Sequence, residues 1–133
     1  MKVVLDTNIL LVSVSQKSPL HWIFTALKRG DFVLCVTTEI LNEYTEILER
    51  HMGARVSENV MGALENLPNV AKVTTWYRFH LLLDSDDNKF VDCAIACNAH
   101  FIVSHDRDFN VLSKIPFPKV DVIDIPTFQS LLS

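Results

Sequence analysis

The sequence predicts a single α/β domain over residues 1–133, with a parallel sheet covered by helices on both faces. Three observations predict it. Short, β-rich apolar runs alternate along the chain with longer segments whose apolar residues recur at helical spacing, the signature of a parallel sheet with crossover helices. At 133 residues and 49% apolar content, a chain can bury roughly two-thirds of its unfolded surface in one core. No internal repeat, low-complexity tract or linker interrupts the pattern.

KVVL (2–5) reads as a buried strand ended by Asp6-Thr7-Asn8. Residues 19–29 read as a helix, with Ser18 as N-cap, Pro19 in the first position and Gly30 as the stop. FVLCV (32–36) is short and β-rich, hence a strand. In 37–51, Ile40, Leu41, Tyr44, Ile47 and Leu48 form one apolar stripe of a strong helix. A weaker helix spans about 57–66 before Pro68, and 70–83 reads as strand or extended chain in part. A helix begins near Asp87, FIVSHD (101–106) and VDVID (120–124) are strands, and PTFQSLL is a short closing helix.

Composition narrows the function. No apolar run approaches the ~18 residues of a membrane span, and the apolar start reaches Asp6 too soon for a signal peptide. Cys35, Cys93 and Cys97 are an odd set without a C-x-x-C pair, which predicts reduced thiols in a cytoplasmic protein. The net charge of −4 and the lack of basic runs exclude a simple electrostatic nucleic-acid binder. There is no glycine-rich phosphate loop, no Ser or Cys nucleophile with a convincing His partner, and no zinc spacing among the histidines.

The informative residues are carboxylates. In open parallel sheets, ligands bind beyond the carboxyl ends of the strands. Asp6 and Asp106 stand at two such ends. On the 37–51 helix, Glu43 lies roughly 100° from the centre of the apolar stripe, whereas Glu39 and Glu49 lie roughly 140° and Glu46 roughly 160° away, so only Glu43 borders the buried face. Asp92 is the sole acid between Phe90 and Phe101, with Ala96 and Ala99 on its helical face. A carboxylate in such surroundings needs a partner or a cation; the alternative is an exposed Asp92 beside Lys89. Four carboxylates from four segments converging on one rim describe a hard-oxygen site for Mg²⁺ or Mn²⁺, of the kind that supports phosphodiester hydrolysis.

These residues sit in motifs that resemble the PIN domain. VVLDTNILL (3–11), Glu39-Ile40-Leu41-Asn42-Glu43-Tyr44, DxDDNKFxDxAIA (84–96) and IVSHDRDF (102–109) occur in order along nearly the whole chain. The similarity is strongest to the VapC-like toxin components of bacterial and archaeal toxin–antitoxin systems. It implies a three-layer α/β/α fold around a parallel sheet of five strands, and an RNA-cleaving endoribonuclease that uses Mg²⁺ or Mn²⁺. The implied catalytic set is Asp6, Glu43, Asp92 and Asp106, with Asp6, Asp92 and Asp106 as metal ligands and Glu43 orienting water or holding a second ion. Asn8 and Ser104 match the family's supporting polar positions, and Asp108 a further acidic one. Asp84, Asp86 and Asp87 precede a helix, where negative charge is favoured, so capping is the first reading; Asp87 belongs to the family block and could reach the site. Asn8 could equally be an N-cap.

Two other enzyme or signalling classes fit less well. An aspartyl phosphatase wants a second Asp where Asn8 stands, and a receiver-type domain wants an acidic pair near the first strand. A non-catalytic PIN scaffold that binds RNA or a protein is the alternative function. The resemblance also implies a small antitoxin partner. Trp22, Trp76, Tyr77 and Phe79 exceed what one core holds, which predicts a homodimer as well.

Overall fold

The computed structural model describes residues 1–133. The strands are β1 (Lys2–Leu5), β2 (Val33–Val36), β3 (Val70–Lys72), β4 (Phe101–Val103) and β5 (Val122–Ile123). They form one sheet in the order β3-β2-β1-β4-β5, parallel at every pairing. The helices are α1 (Thr7–Val14), α2 (His21–Arg29), α3 (Thr38–Met52), α4 (Ala54–Asn66), α5 (Asn88–Cys97) and α6 (Ile125–Leu132), with a 3₁₀ segment over Arg107–Lys114. Crossovers β1–β2 and β2–β3 run one way along the sheet, and β3–β4 runs back. Right-handed connections therefore put α1–α4 and α5 on opposite faces, which gives the three-layer PIN-like architecture.

The order in which strands are added across the sheet reverses between β1 and β4. Val3, Val4 and Leu5 of β1 pair with Phe101, Ile102 and Val103 of β4, and all but Phe101 of these are buried. A topological switch point of this kind leaves a crevice beyond the strand ends.

Local chemistry explains the element ends. Thr37 caps α3 by accepting from the Ile40 amide at 3.2 Å. Gly30 ends α2 at φ 83°, a left-handed conformation that favours glycine, with its amide turned back onto α2 carbonyls. The α2 start moves two residues from the expected position. Ser18 still accepts from Leu20 at 3.1 Å, but the helix begins at His21.

Three expectations change. The DTN segment does not simply end β1: Asp6 is the N-cap residue of α1, whose residues average too apolar to show a helical stripe. The 3₁₀ segment was not expected, because its turns depend on the Asp106 cap rather than on periodicity. The three cysteines are not all thiols: β2 packs under α5 and joins Cys35 to Cys97 in a disulfide across 62 residues of sequence. Such a pairing is invisible to local spacing. Cys93 is free and buried, and burial pushes its thiol up to about 12.

The aromatic surplus divides. Trp22 packs against Phe128, with ring centroids 5.9 Å apart. Trp76 and Tyr77 are 84% and 76% exposed, on an extended strap over residues 73–80.

Candidate functional site

The site is built from the ends of β1 and β4. Asp6 follows β1 directly, and its amide donates to the Val103 carbonyl at 3.1 Å, carrying the pairing one step past the strands. The buried Ser104 hydroxyl donates to Asp6 Oδ2 at 2.8 Å and accepts from the Asp106 amide at 2.9 Å. One serine thus fixes both the rotamer of Asp6 and the backbone of Asp106. Asp106 Oδ1 accepts from the Asp108 amide at 2.9 Å, so the exposed Asp106 is also held from behind.

Tyr44 brings α3 to the same rim. It is fully buried, and its hydroxyl donates to the Leu5 carbonyl at 2.6 Å, one residue before Asp6. Glu43 is its neighbour. The Thr7 hydroxyl donates to Glu43 Oε2, and Lys89 Nζ meets Glu43 Oε1 at 2.6 Å. Their side chains are 25% and 16% exposed, so this pair is better shielded than an ordinary surface bridge. Glu39, Glu46 and Glu49 are exposed.

The first turn of α5 supplies another carboxylate. Asp87 occupies the N-cap position, yet its side chain makes no capping hydrogen bond. Its carboxylate faces the rim instead. Asp84, Asp87 and Asp108 bring one oxygen each within 4.8 Å of one another. Burial pushes the Asp87 carboxyl up to about 6, with further pushes from the charges of Asp84, Asp106, Asp6 and Asp108. Burial likewise raises Asp6; the Ser104 hydroxyl and Thr7 amide draw it back, while Asp106 and Glu43 add to the rise. Carboxyls raised by burial and further by neighbouring carboxylates describe a crowded negative rim.

Asp92 lies apart from that rim. It is buried, but its Oδ1 accepts from the Phe79 amide at 3.1 Å. Burial raises its carboxyl, the Phe79 amide and the charges of Arg78 and His80 lower it, and Glu39 is the carboxylate that adds to the rise. The structure therefore gives Asp92, expected at one rim with Asp6 and Asp106, a backbone partner in the strap, and neither of those carboxylates acts on its charge. Five residues beyond Asp87 is roughly 140° around a helix, so when Asp87 faces the rim, Asp92 faces the strap. Nor is Asp92 exposed beside Lys89, because Lys89 reaches Glu43. Capping as the first reading of Asp87 is corrected too.

The remaining candidates are placed simply. Asn8 is exposed on the first turn of α1 and lines a cavity of about 250 Å³ with Asp6, His105 and Asp106. Asp108 is exposed on the 3₁₀ segment. Thr7 and Lys89 were missed from sequence. Thr7 lies inside the DTN motif, and Lys89 inside the DDNKF block, so both carried a signal that a search for carboxylates passed over.

The donor set is all oxygen: Asp6, Asp87, Asp106 and Asp108, with Glu43 beside them. That chemistry fits a hard divalent cation, and the elevation of Asp6 and Asp87, by burial first and by neighbouring carboxylates second, is what a cation would relieve. No helix is long and apolar enough to cross a membrane.

A family model described as "PIN domain" matches residues 2–108, which include every residue of this rim. No curated protein matches the chain. A solved structure with a similar fold is that of VapBC2 from Rickettsia felis bound to a DNA fragment from their promoter, at 15% identity and a TM-score of 0.65, covering 93% of this chain and 98% of that one. On the family match, with the sheet order and the acidic rim at its switch point, the chain belongs to the PIN domain family.

Proposed function

We propose that the protein is a Mg²⁺- or Mn²⁺-dependent endoribonuclease and the toxin of a toxin–antitoxin pair. The observation that carries this reading is the acidic rim at the β1/β4 switch point, where Ser104 ties Asp6 to Asp106 and where Asp84, Asp87 and Asp108 bring one oxygen each within 4.8 Å of one another. A divalent cation bound there supplies a Lewis acid that activates water and takes up charge on the scissile phosphate.

The chain's own residues do the rest. Asp6 and Asp106 are the metal ligands, and Asp87 takes the third carboxylate position in place of Asp92. Ser104 holds Asp6 in one rotamer, which keeps the ligand geometry ready before substrate arrives. Glu43 orients the attacking water and accepts its proton, with Thr7 and Lys89 fixing its two oxygens. Asn8 donates to a non-bridging phosphate oxygen, and Asp108 supports the outer edge of the rim.

The test is cleavage of labelled RNA by purified protein in Mn²⁺, Mg²⁺ or EDTA. Cleavage that needs a cation, and that falls by about 10²–10³-fold in Asp6→Asn and Asp106→Asn, is the expected result; losses of this size follow removal of a preorganised charge-stabilising group. Metal-independent cleavage would falsify the mechanism. RNA binding without cleavage in any metal favours the scaffold reading.

The fold shared with VapBC2 supports a small antitoxin as partner. A homodimer belongs to the same reading and is measured by light scattering. The compartment that goes with it is the cytoplasm, and the Cys35–Cys97 disulfide is the feature that stands against that compartment, since disulfides are rare there. Alkylation and mass spectrometry of protein taken from cells reads their state directly.

A further inference from the structure

Beside the acidic rim, the strap over residues 73–80 makes two adjoining cavities against α3 and α5. The first, about 120 Å³, is polar; it is lined by Thr37, Thr38, Glu39, Thr75 and Arg78, and reaches Lys89. The second, about 380 Å³, is apolar; it lies between Trp76, Tyr77 and Phe79 on the strap and Ile95 and Ala96 on α5. Thr74 and Asp92 border both. The first is well below the ~300 Å³ at which small-molecule sites begin, whereas the second lies within that range. A small pocket of hydroxyls and two cations, each cation paired there with a carboxylate that a phosphate could displace or bypass, lies beside a larger aromatic one and has the chemistry of a nucleotide unit, phosphate next to base.

The strap is held rigidly enough to serve. Asn88 accepts from the Leu82 amide at 2.9 Å and donates to the Leu82 carbonyl at 3.2 Å. Asp92, one turn along α5, accepts from the Phe79 amide. Between these two clasps His80 takes a left-handed conformation at φ 51°, and Leu82 is buried in the core. The backbone is therefore fixed from 79 to 82, and the aromatic side chains of Trp76 and Tyr77 are turned to solvent beside it. Cations stand between and next to them. Arg78 pairs only with Glu39, at 2.8 Å, in an exposed bridge of little net worth that a phosphate can replace. Lys89 links the polar cavity to Glu43, so the ledge and the acidic rim are continuous.

We propose that the strap is a ledge for single-stranded RNA, with a base stacked on Trp76 and Tyr77 and the adjoining phosphate held by Arg78, leading the strand toward the Asp6–Asp106 rim. Aromatic platforms interleaved with cations bind single strands because every base has a stacking face. The inference deepens the nuclease reading and rests on it for the direction of the strand.

The test is fluorescence anisotropy of a labelled single-stranded RNA with the intact protein in EDTA, where binding is read apart from cleavage. Trp76→Ala/Tyr77→Ala should bind about 10–100-fold more weakly, with an unchanged melting temperature because both side chains are exposed. Arg78→Ala should weaken binding and flatten its salt dependence. Glu39→Gln should tighten binding about 2–3-fold by freeing Arg78, a gain that general damage to the fold cannot produce. The same RNA annealed into a duplex should bind more weakly, because its bases are already stacked. Equal binding by parent and the aromatic double variant overturns the ledge, as does no binding by the parent. So does a double variant whose RNA binding is intact while a dimer becomes a monomer, since the aromatic face then belongs to a second copy. A parent that binds through the strap but cleaves nothing in Mn²⁺ sinks the nuclease reading and leaves the ledge; normal cleavage with no effect of the strap variants does the reverse.

Discussion

Two sides of one helix do different work. At the start of α5, Asp87 and Lys89 turn to the switch-point rim, where carboxylates crowd one another and Lys89 holds Glu43. One turn further, Asp92 turns to the strap and takes up a backbone amide. Both aspartates are shielded and both are raised above their ordinary value, yet only Asp87 is raised by Asp6 and Asp106. The difference teaches that burial and an elevated carboxyl do not by themselves mark a reacting group. What distinguishes the rim is that four neighbouring carboxylates, Asp84, Asp106, Asp6 and Asp108, add to the rise of Asp87, whereas Asp92 is answered by an amide and by Arg78.

The sharpest test of that division is on α3, where Glu43 and Glu39 stand four residues apart and belong to the rim and the strap respectively. Glu43→Gln should lower cleavage about 10–100-fold, the range for a group that orients the reacting centre. Glu39→Gln should leave the turnover rate within about 2-fold and alter only the RNA concentration at half-saturation. Steady-state rates over a range of RNA concentrations check both. Equal losses in turnover would erase the distinction between rim and strap.

A smaller effect separates the two aspartates themselves. Asp87→Asn removes a charge that its neighbours oppose, so the EDTA-treated protein should melt higher, while the shift on adding Mn²⁺ shrinks because a ligand is gone. Asp92→Asn keeps an oxygen that can accept from Phe79 and sits away from the rim. Its stability should change by less than about 1 kcal/mol, and its Mn²⁺ response should match the parent's. Thermal melts in EDTA and in Mn²⁺ decide it. A normal Mn²⁺ response in Asp87→Asn with a lost one in Asp92→Asn would restore Asp92 to the metal and break the comparison.

Much of this arrangement is legible in the sequence, for particular reasons. The strands are short β-rich runs, and strand ends mark where a parallel sheet binds, so Asp6 and Asp106 stand out without a structure. Glu43 stands out because angular position on a helix follows from counting. Asp87 and Asp92 could not be ranked that way. The register of α5 against the sheet is set by which residues its packing buries, and in FVDCAIAC nearly every residue is apolar or small, so the segment shows no clear stripe. The strap was ambiguous for a related reason. Its conformation comes from Asn88 and Asp92 clasping its backbone, which no periodicity within 70–83 records. The Cys35–Cys97 pairing is hidden likewise, since it depends on β2 lying under α5.

The smallest expected effect is a pH dependence centred on the rim. In the metal-free protein Asp87 holds its proton up to about pH 6, while in the unfolded chain it returns to the ordinary value near 3.8. Between those limits the folded state binds a proton that the unfolded state does not, so lowering the pH from 7 toward 5 should favour folding through this group. Below about 3.8 both states are protonated and the contribution stays constant. Asp87 is only half-buried, so solvent screens much of the effect, and a rise of roughly 2–5 °C in melting temperature is the expected scale. Asp6 and, outside the rim, Asp92 are raised as well and add in the same direction. Asp124, whose carboxyl the Thr127 hydrogen bonds lower, acts oppositely, but only as the pH falls below the ordinary carboxyl range. Saturating Mn²⁺ should reverse the slope between pH 7 and 5, because the cation needs the carboxylates ionised and protons compete with it. In Asp87→Asn the EDTA slope should flatten, whereas in Asp92→Asn most of it should persist. An EDTA-treated parent that melts lower at pH 5 than at pH 7 would mean that the rim is not crowded enough to hold a proton, and the contrast between the two aspartates of α5 would lose its electrostatic basis.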